Sequence, residues 1–144
     1  MSQYLTILEA VQARVASAAA GVPVQIRRRP VMLSSDTLPL IVVAPSPDGE
    51  SIELETFSRG VTWSYPVYVV VFSKGNRELA IAPDDFDLRE AVRNQIYQPL
   101  LSGASSVYDI DLTLSGPFNL RSQENTVETD AFQVIYKSSE TRSA

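Results

Sequence analysis

Six consecutive residues, Val67-Tyr68-Val69-Val70-Val71-Phe72, are apolar, so a β-strand running through them has no face that tolerates water. The other strand-forming segments alternate: Ile52 and Leu54 with Glu53 and Glu55, then Tyr108, Ile110, Leu112 and Leu114 with Asp109, Asp111 and Thr113. Alternation normally leaves one face of a strand wet. One doubly apolar strand in an otherwise half-wet sheet calls for a cover beyond the chain's own helices. A neighbouring copy of the chain is the natural one.

The 144 residues have the length of a single domain over 1–144, large enough to bury roughly 68–70% of its unfolded surface without disulfides or metals. No apolar run approaches the roughly 20 residues of a bilayer span, and the N-terminus lacks the basic start and apolar core of a signal peptide. The expectation is a soluble chain with no membrane partner.

Cysteine and histidine are both absent, which removes disulfides, the usual zinc sites and the Ser-His and Cys-His nucleophile pairs. An enzyme built on this chain would rely on carboxylates, lysine, tyrosine or a bound cation. The chain therefore reads as non-enzymatic, with no cofactor. Its net charge of −5 argues against wrapping nucleic acid, which needs a local excess of Lys and Arg. An acidic wall would instead repel DNA passing beside it.

Tyr4, Leu8, Val11, Val15 and Ala18 fall on one helical stripe, with Ser2 placed to cap and Gly21-Val22-Pro23 to stop, which predicts a helix over 3–20. Short strand character follows at 22–26, then the basic cluster Arg27-Arg28-Arg29. Leu38–Val43, Ile52–Phe57 and Val61–Ser73 read as three strands of an antiparallel meander. Pro66 lacks an N–H and demands a bulge or an edge position within the third. A second helix begins near Pro83, with Asp87 and Glu90 at capping-box spacing and Leu88, Val92 and Ile96 as its stripe, and ends near Pro99. Strands follow at 107–114 and 126–136, and the polar tail from Lys137 is expected to be mobile. The fold class is α+β: a mainly antiparallel sheet with two amphipathic helices packed on it, in the order α-β-β-β-β-α-β-β.

Few residues carry chemistry. Asp84, Asp85 and Asp87 have the composition of a cation site but are explained by the positive start of the second helix. Asp109 and Asp111 have the number, though no other mark, of a hydrolase's carboxylate pair. Their alternation with apolar residues is that of a solvated face. Arg27, Arg28 and Arg29 are the one concentrated basic feature, open to readings as a solvated loop, as a contact with an acidic neighbouring subunit, or as a phosphate contact. Trp63, Tyr65 and Tyr68 fit an interface hot spot or ordinary sheet packing. The six glycines are dispersed, and none begins a phosphate-binding loop.

The N-terminal helix closed by Gly21, the strand Leu38-Pro39-Leu40-Ile41-Val42-Val43, the phrase Val61-Thr62-Trp63-Ser64-Tyr65-Pro66-Val67-Tyr68-Val69-Val70-Val71 and the helix Asp87-Leu88-Arg89-Glu90-Ala91-Val92-Arg93 together resemble the tail terminator (tail completion) proteins of long-tailed bacteriophages. The resemblance implies a structural virion protein of the tail and neck, soluble in the host cytoplasm before assembly. Its subunits would form a homo-oligomeric ring, commonly a hexamer, that caps the tail tube and joins it to the head-tail connector. Tail tube protein and connector protein are the implied partners, with DNA only passing through the lumen. It implies no catalytic residue. On this reading Arg27, Arg28, Arg29 and the loop from Lys74 through Arg77 to Pro83 are contact candidates, beside Trp63, Tyr65 and Tyr68. Another neck or minor tail protein, a monomeric tail assembly chaperone, and a small metal-dependent hydrolase using Asp109 and Asp111 are the alternatives, the last ranking lowest.

Overall fold

The computed structural model describes residues 3–19, 21–31, 33, 35–54, 60–74, 83–96, 107–114, 120–121 and 126–141. The elements run α1 (Gln3–Ala18), β1 (Val24–Ile26), β2 (Leu40–Pro45), β3 (Ser51–Leu54), β4 (Gly60–Lys74), α2 (Pro83–Ile96), β5 (Val107–Leu114), β6 (Leu120–Arg121) and β7 (Thr126–Thr141). The class is α+β, with a mostly antiparallel sheet. Ser2, residues 75–82 with Arg77, and the expected helix end near Pro99 fall outside the described residues.

The strands order as β1-β2-β4-β7-β5, with β3 also on β4 and β6 also on β7. β1 lies parallel to β2, and the other pairings are antiparallel. The expected meander is corrected. β2 and β3 do not pair with each other but lie end to end along the same side of β4, β3 against Val61–Ser64 and β2 against Val67–Phe72. The fifteen residues of β4 are long enough to hold both. The turn Ser46-Pro47-Asp48-Gly49 joins them, with the Gly49 N–H donating to the Ser46 carbonyl at 3.0 Å and Gly49 at a φ of 76° that favours glycine.

Pro66 sits in the break between β2 and β3. Its carbonyl points to that side, accepting from the Ser46 N–H at 3.2 Å and from the Tyr4 hydroxyl, while on the other side the β4–β7 register passes Pro66↔Ile135 without a shift. The missing N–H therefore falls where no strand runs, which is the local edge that proline requires. Tyr4, from α1, closes this break: its oxygen also accepts from the Ser46 N–H at 3.0 Å, and its ring stands edge-on to Tyr65 with centroids 5.2 Å apart.

Both helices lie on one face of the sheet. Ile7, Leu8, Val11 and Val15 from α1 and Ala19 just after it, with Val92 and Ile96 from α2, bury against Ile41, Val43, Tyr65, Val67, Val69, Val71, Phe132, Val134 and Tyr136. α1 ends as its glycine predicts: Gly21 has a φ of 83°, and the Val22 N–H returns to the Ala19 carbonyl at 3.1 Å. α2 begins at Pro83, so Asp87 and Glu90 lie inside it and do not form the expected capping box. Proline suits a first helical position because no N–H is needed there.

The opposite face holds a second cluster: Leu40, Val42, Val70, Phe72 and Ala131, with Leu38 and Tyr68 packed against it. Val42 and Phe72 are completely buried within the single chain. This corrects the inference drawn from the doubly apolar run. The protomer by itself buries Val67, Val69, Val70, Val71 and Phe72, leaving only Tyr68 half-buried, and Leu40 and Val42 of β2 and Ala131 of β7 pack beside the run on the second face. The mobile tail is corrected too. Residues 137–141 extend β7 along β4, from Lys137↔Ser64 to Thr141↔Gly60, since the first half of β4 needs a partner on that side.

Candidate functional site

The most organised exposed feature is the arm between β1 and β2. β1 ends with the Arg27 N–H donating to the Val43 carbonyl at 3.0 Å, and the chain then leaves the sheet. The Arg27 guanidinium folds back as a fork on Asp36, with Nη1 to Oδ2 at 2.7 Å and Nη2 to Oδ1 at 2.8 Å. Nη1 also donates to the Val31 carbonyl at 3.0 Å, and Nη2 to Gln25 Oε1 at 2.8 Å. Asp36 accepts the Leu33 N–H at 2.6 Å, and its own N–H donates to the Leu33 carbonyl at 3.0 Å. A planar guanidinium is suited to such a clamp, since its donors are fixed in the geometry of a carboxylate.

The clamp also moves the titration of its acid. The hydrogen bond from Arg27, then that from the Leu33 N–H, hold the Asp36 carboxyl down at about 2, while the hydrogen bond to Asp36 raises Arg27. What the clamp displays is apolar and basic. Val31 is 48% and Leu33 55% exposed, and Arg28 and Arg29 are exposed beside them.

The candidate residues separate by position. Arg27 is committed to the clamp, whereas Arg28 and Arg29 face solvent. Tyr65 is 7% exposed in the helix-side core, against Tyr4, and offers a partner almost no surface. Trp63 is half-buried at the rim of the same core, in register with Ile52, which is 49% exposed. Tyr68 is half-buried on the second face, where its hydroxyl accepts from Gln133 Nε2 at 3.2 Å. Lys74 is the last residue of β4, opposite Val127, and Arg77 lies outside the described residues. These candidates therefore do not form one patch. Val31 and Leu33, which reading the sequence missed, are the exposed apolar residues nearest to Arg28 and Arg29 in the chain, and their adjacency to the basic cluster was the available signal.

Asp109 and Asp111 lie on β5, in register with Lys137 and Ile135. Among the described residues no group of three or more acidic side chains is gathered as a metal site would need.

No family model matches this sequence, and no curated protein matches it. Among solved structures, it is similar to a chain of a structure described as "Virion of native gene transfer agent (GTA) particle". The likeness covers 94% of this chain and 92% of that one, at 13% identity and a TM-score of 0.46.

Proposed function

We propose that this chain is a structural virion protein, a subunit of a homo-oligomeric ring that caps a phage-type tail tube and joins it to the head-tail connector. The observation that carries this reading is the arm. A protomer that already buries most of its greasiest strand still fixes, with a forked ion pair and four further hydrogen bonds, a loop that holds Val31, Leu33, Arg28 and Arg29 in water. Ordering a loop costs conformational entropy, and exposed apolar groups gain nothing until something covers them. Such a device belongs to an assembly part.

The segments behind the sequence resemblance support the tail assignment. They fall on α1, β2, β4 and α2, which pack together as one two-layer unit with both helices on one face. The depleted chemistry of a chain without histidine or cysteine agrees with a role made of contacts alone.

Native mass spectrometry of the purified chain, followed by negative-stain imaging, tests the reading. The expected outcome is a closed ring with a central hole. A chain that stays monomeric at the highest soluble concentration, both alone and with tail tubes added, would overturn it.

A further inference from the structure

We infer that the arm docks on the opposite edge of the sheet of a second copy, so that Arg28 and Arg29 of one protomer meet the strand carrying Asp109 and Asp111 in the next. This deepens the ring reading and rests on it. β1 and β5 are the two ends of the strand order, and the described residues place no further strand outside either. The basic pair follows β1 after Arg27, and the acidic pair lies on β5, where Asp109 stands opposite Lys137 and Asp111 opposite Ile135.

The four strand spacings from β1 to β5 correspond to about 19 Å. That is more than twice the roughly 8 Å over which salt screens charges at physiological ionic strength, so the two pairs cannot neutralise each other within one protomer. The end of β1 and the acidic pair lie toward the same end of the sheet. The cross-strand row at the end of β1 runs Val43, Val69, Phe132, Leu114, and Asp111 and Asp109 follow Leu114 down the same strand. Opposite charges toward the same end of opposite edges make a contact in which each copy uses two different patches. Such heterologous contacts close into rings when the rotation permits, whereas a two-fold dimer through either edge alone would set like charges together. Val31 and Leu33 supply the apolar centre that a charge contact alone lacks.

A competing role for the same charges is to guard sheet edges against indiscriminate pairing. Two charge reversals separate the roles: Arg28→Glu with Arg29→Glu, and Asp109→Lys with Asp111→Lys, each checked for folding by circular dichroism and measured by sedimentation velocity. Each reversed protein alone should self-associate about tenfold more weakly or worse, and an equimolar mixture of the two should recover the wild-type mass, because reversed edges then complement. If the lysine variant does not fold, Asp109→Asn with Asp111→Asn takes its place, with the same weakening expected. Wild-type oligomers that survive every reversal would overturn this contact and leave the ring standing. Variants that precipitate as irregular aggregates without losing the wild-type oligomer would assign the charges to edge guarding and overturn it too. A wild type that never associates would remove the contact and the ring together.

Discussion

The two halves of β4 have similar lengths and opposite surroundings. From Val67 to Phe72 the strand lies between β2 and β7, under two helices on one face and within the Leu40–Phe72 cluster on the other. From Gly60 to Pro66 its neighbours are the short β3 and the polar end of β7, Trp63 is only half-buried, and its partner Ile52 stands half in water. A run of apolar residues thus marks the centre of one protomer's core. Among the described residues, the large apolar side chains that stand exposed are single ones at the margins: Leu5, Val31, Leu33 and Ile52. Scattered exposure of this kind is ordinary on protein surfaces, so only Val31 and Leu33, set together on a clamped arm, invite a functional reading.

The sharpest test of that contrast is truncation of one side chain within the second half and of one on the strand that flanks the first. Phe72→Ala empties a fully buried site and should cost about 3–5 kcal/mol in denaturant unfolding, whereas Ile52→Ala should stay within about 0.5 kcal/mol. Equal costs would erase the distinction. Ending the chain after Lys137 removes the partners of Gly60–Trp63 while leaving those of Val67–Phe72, so a loss of about 2 kcal/mol is expected from the hydrogen bonds removed. Hydrogen exchange should show the loss in the first half of β4 and at Val107 of β5, which pairs with Ser138.

Tyr136 sits where the halves meet, opposite Tyr65, with its hydroxyl buried and unpartnered. Tyr136→Phe should be neutral or stabilise by about 1 kcal/mol, since an unsatisfied polar group is removed. Burial raises the Tyr136 pKa above its ordinary 10, and the charge of Arg14 opposes that only in part. The folded state therefore keeps a proton that the unfolded chain releases. Its contribution is complete below pH 10 and declines as pH rises beyond. Alkaline melts should show that decline in the wild type and a shallower one in Tyr136→Phe.

The smallest expected effect lies off the strand altogether. The depressed pKa of Asp36 means that the clamp is intact above the ordinary carboxyl value of 3.8 and opens as pH falls through about 2. Limited proteolysis should cut the arm of Asp36→Ala at neutral pH, with the melting temperature of the core nearly unchanged.

Much of this fold is legible in local patterns. The alternation at Val107–Leu114 gives β5 its observed bounds, and the stripe Leu88, Val92, Ile96 gives the buried side of α2. The last residues of β7, Lys137-Ser138-Ser139-Glu140-Thr141, carry no strand pattern, because their pairing is imposed by β4 from more than sixty positions away. β2 begins at Leu40, two residues later than the apolar run suggests, after Leu38-Pro39. At the arm, three adjacent arginines announced a basic feature. Nothing local could tell that Arg27 alone is claimed, by an acid nine positions on. Tyr4, whose hydroxyl bridges Pro66 and Ser46, read only as part of a helical stripe.

The place of β7 has a consequence for how the molecule is made. It is the latest strand in chain order, yet it lies between β4 and β5 and is hydrogen-bonded to both. A nascent polypeptide from which β7 has not yet emerged cannot join those two strands, so the sheet closes only after the last of its described strands is made and through long-range pairing, which is slow. On the ring reading, a partly synthesised subunit lacks β7 between its two edges and has no finished sheet to present, which keeps ribosome-bound fragments out of the assembly.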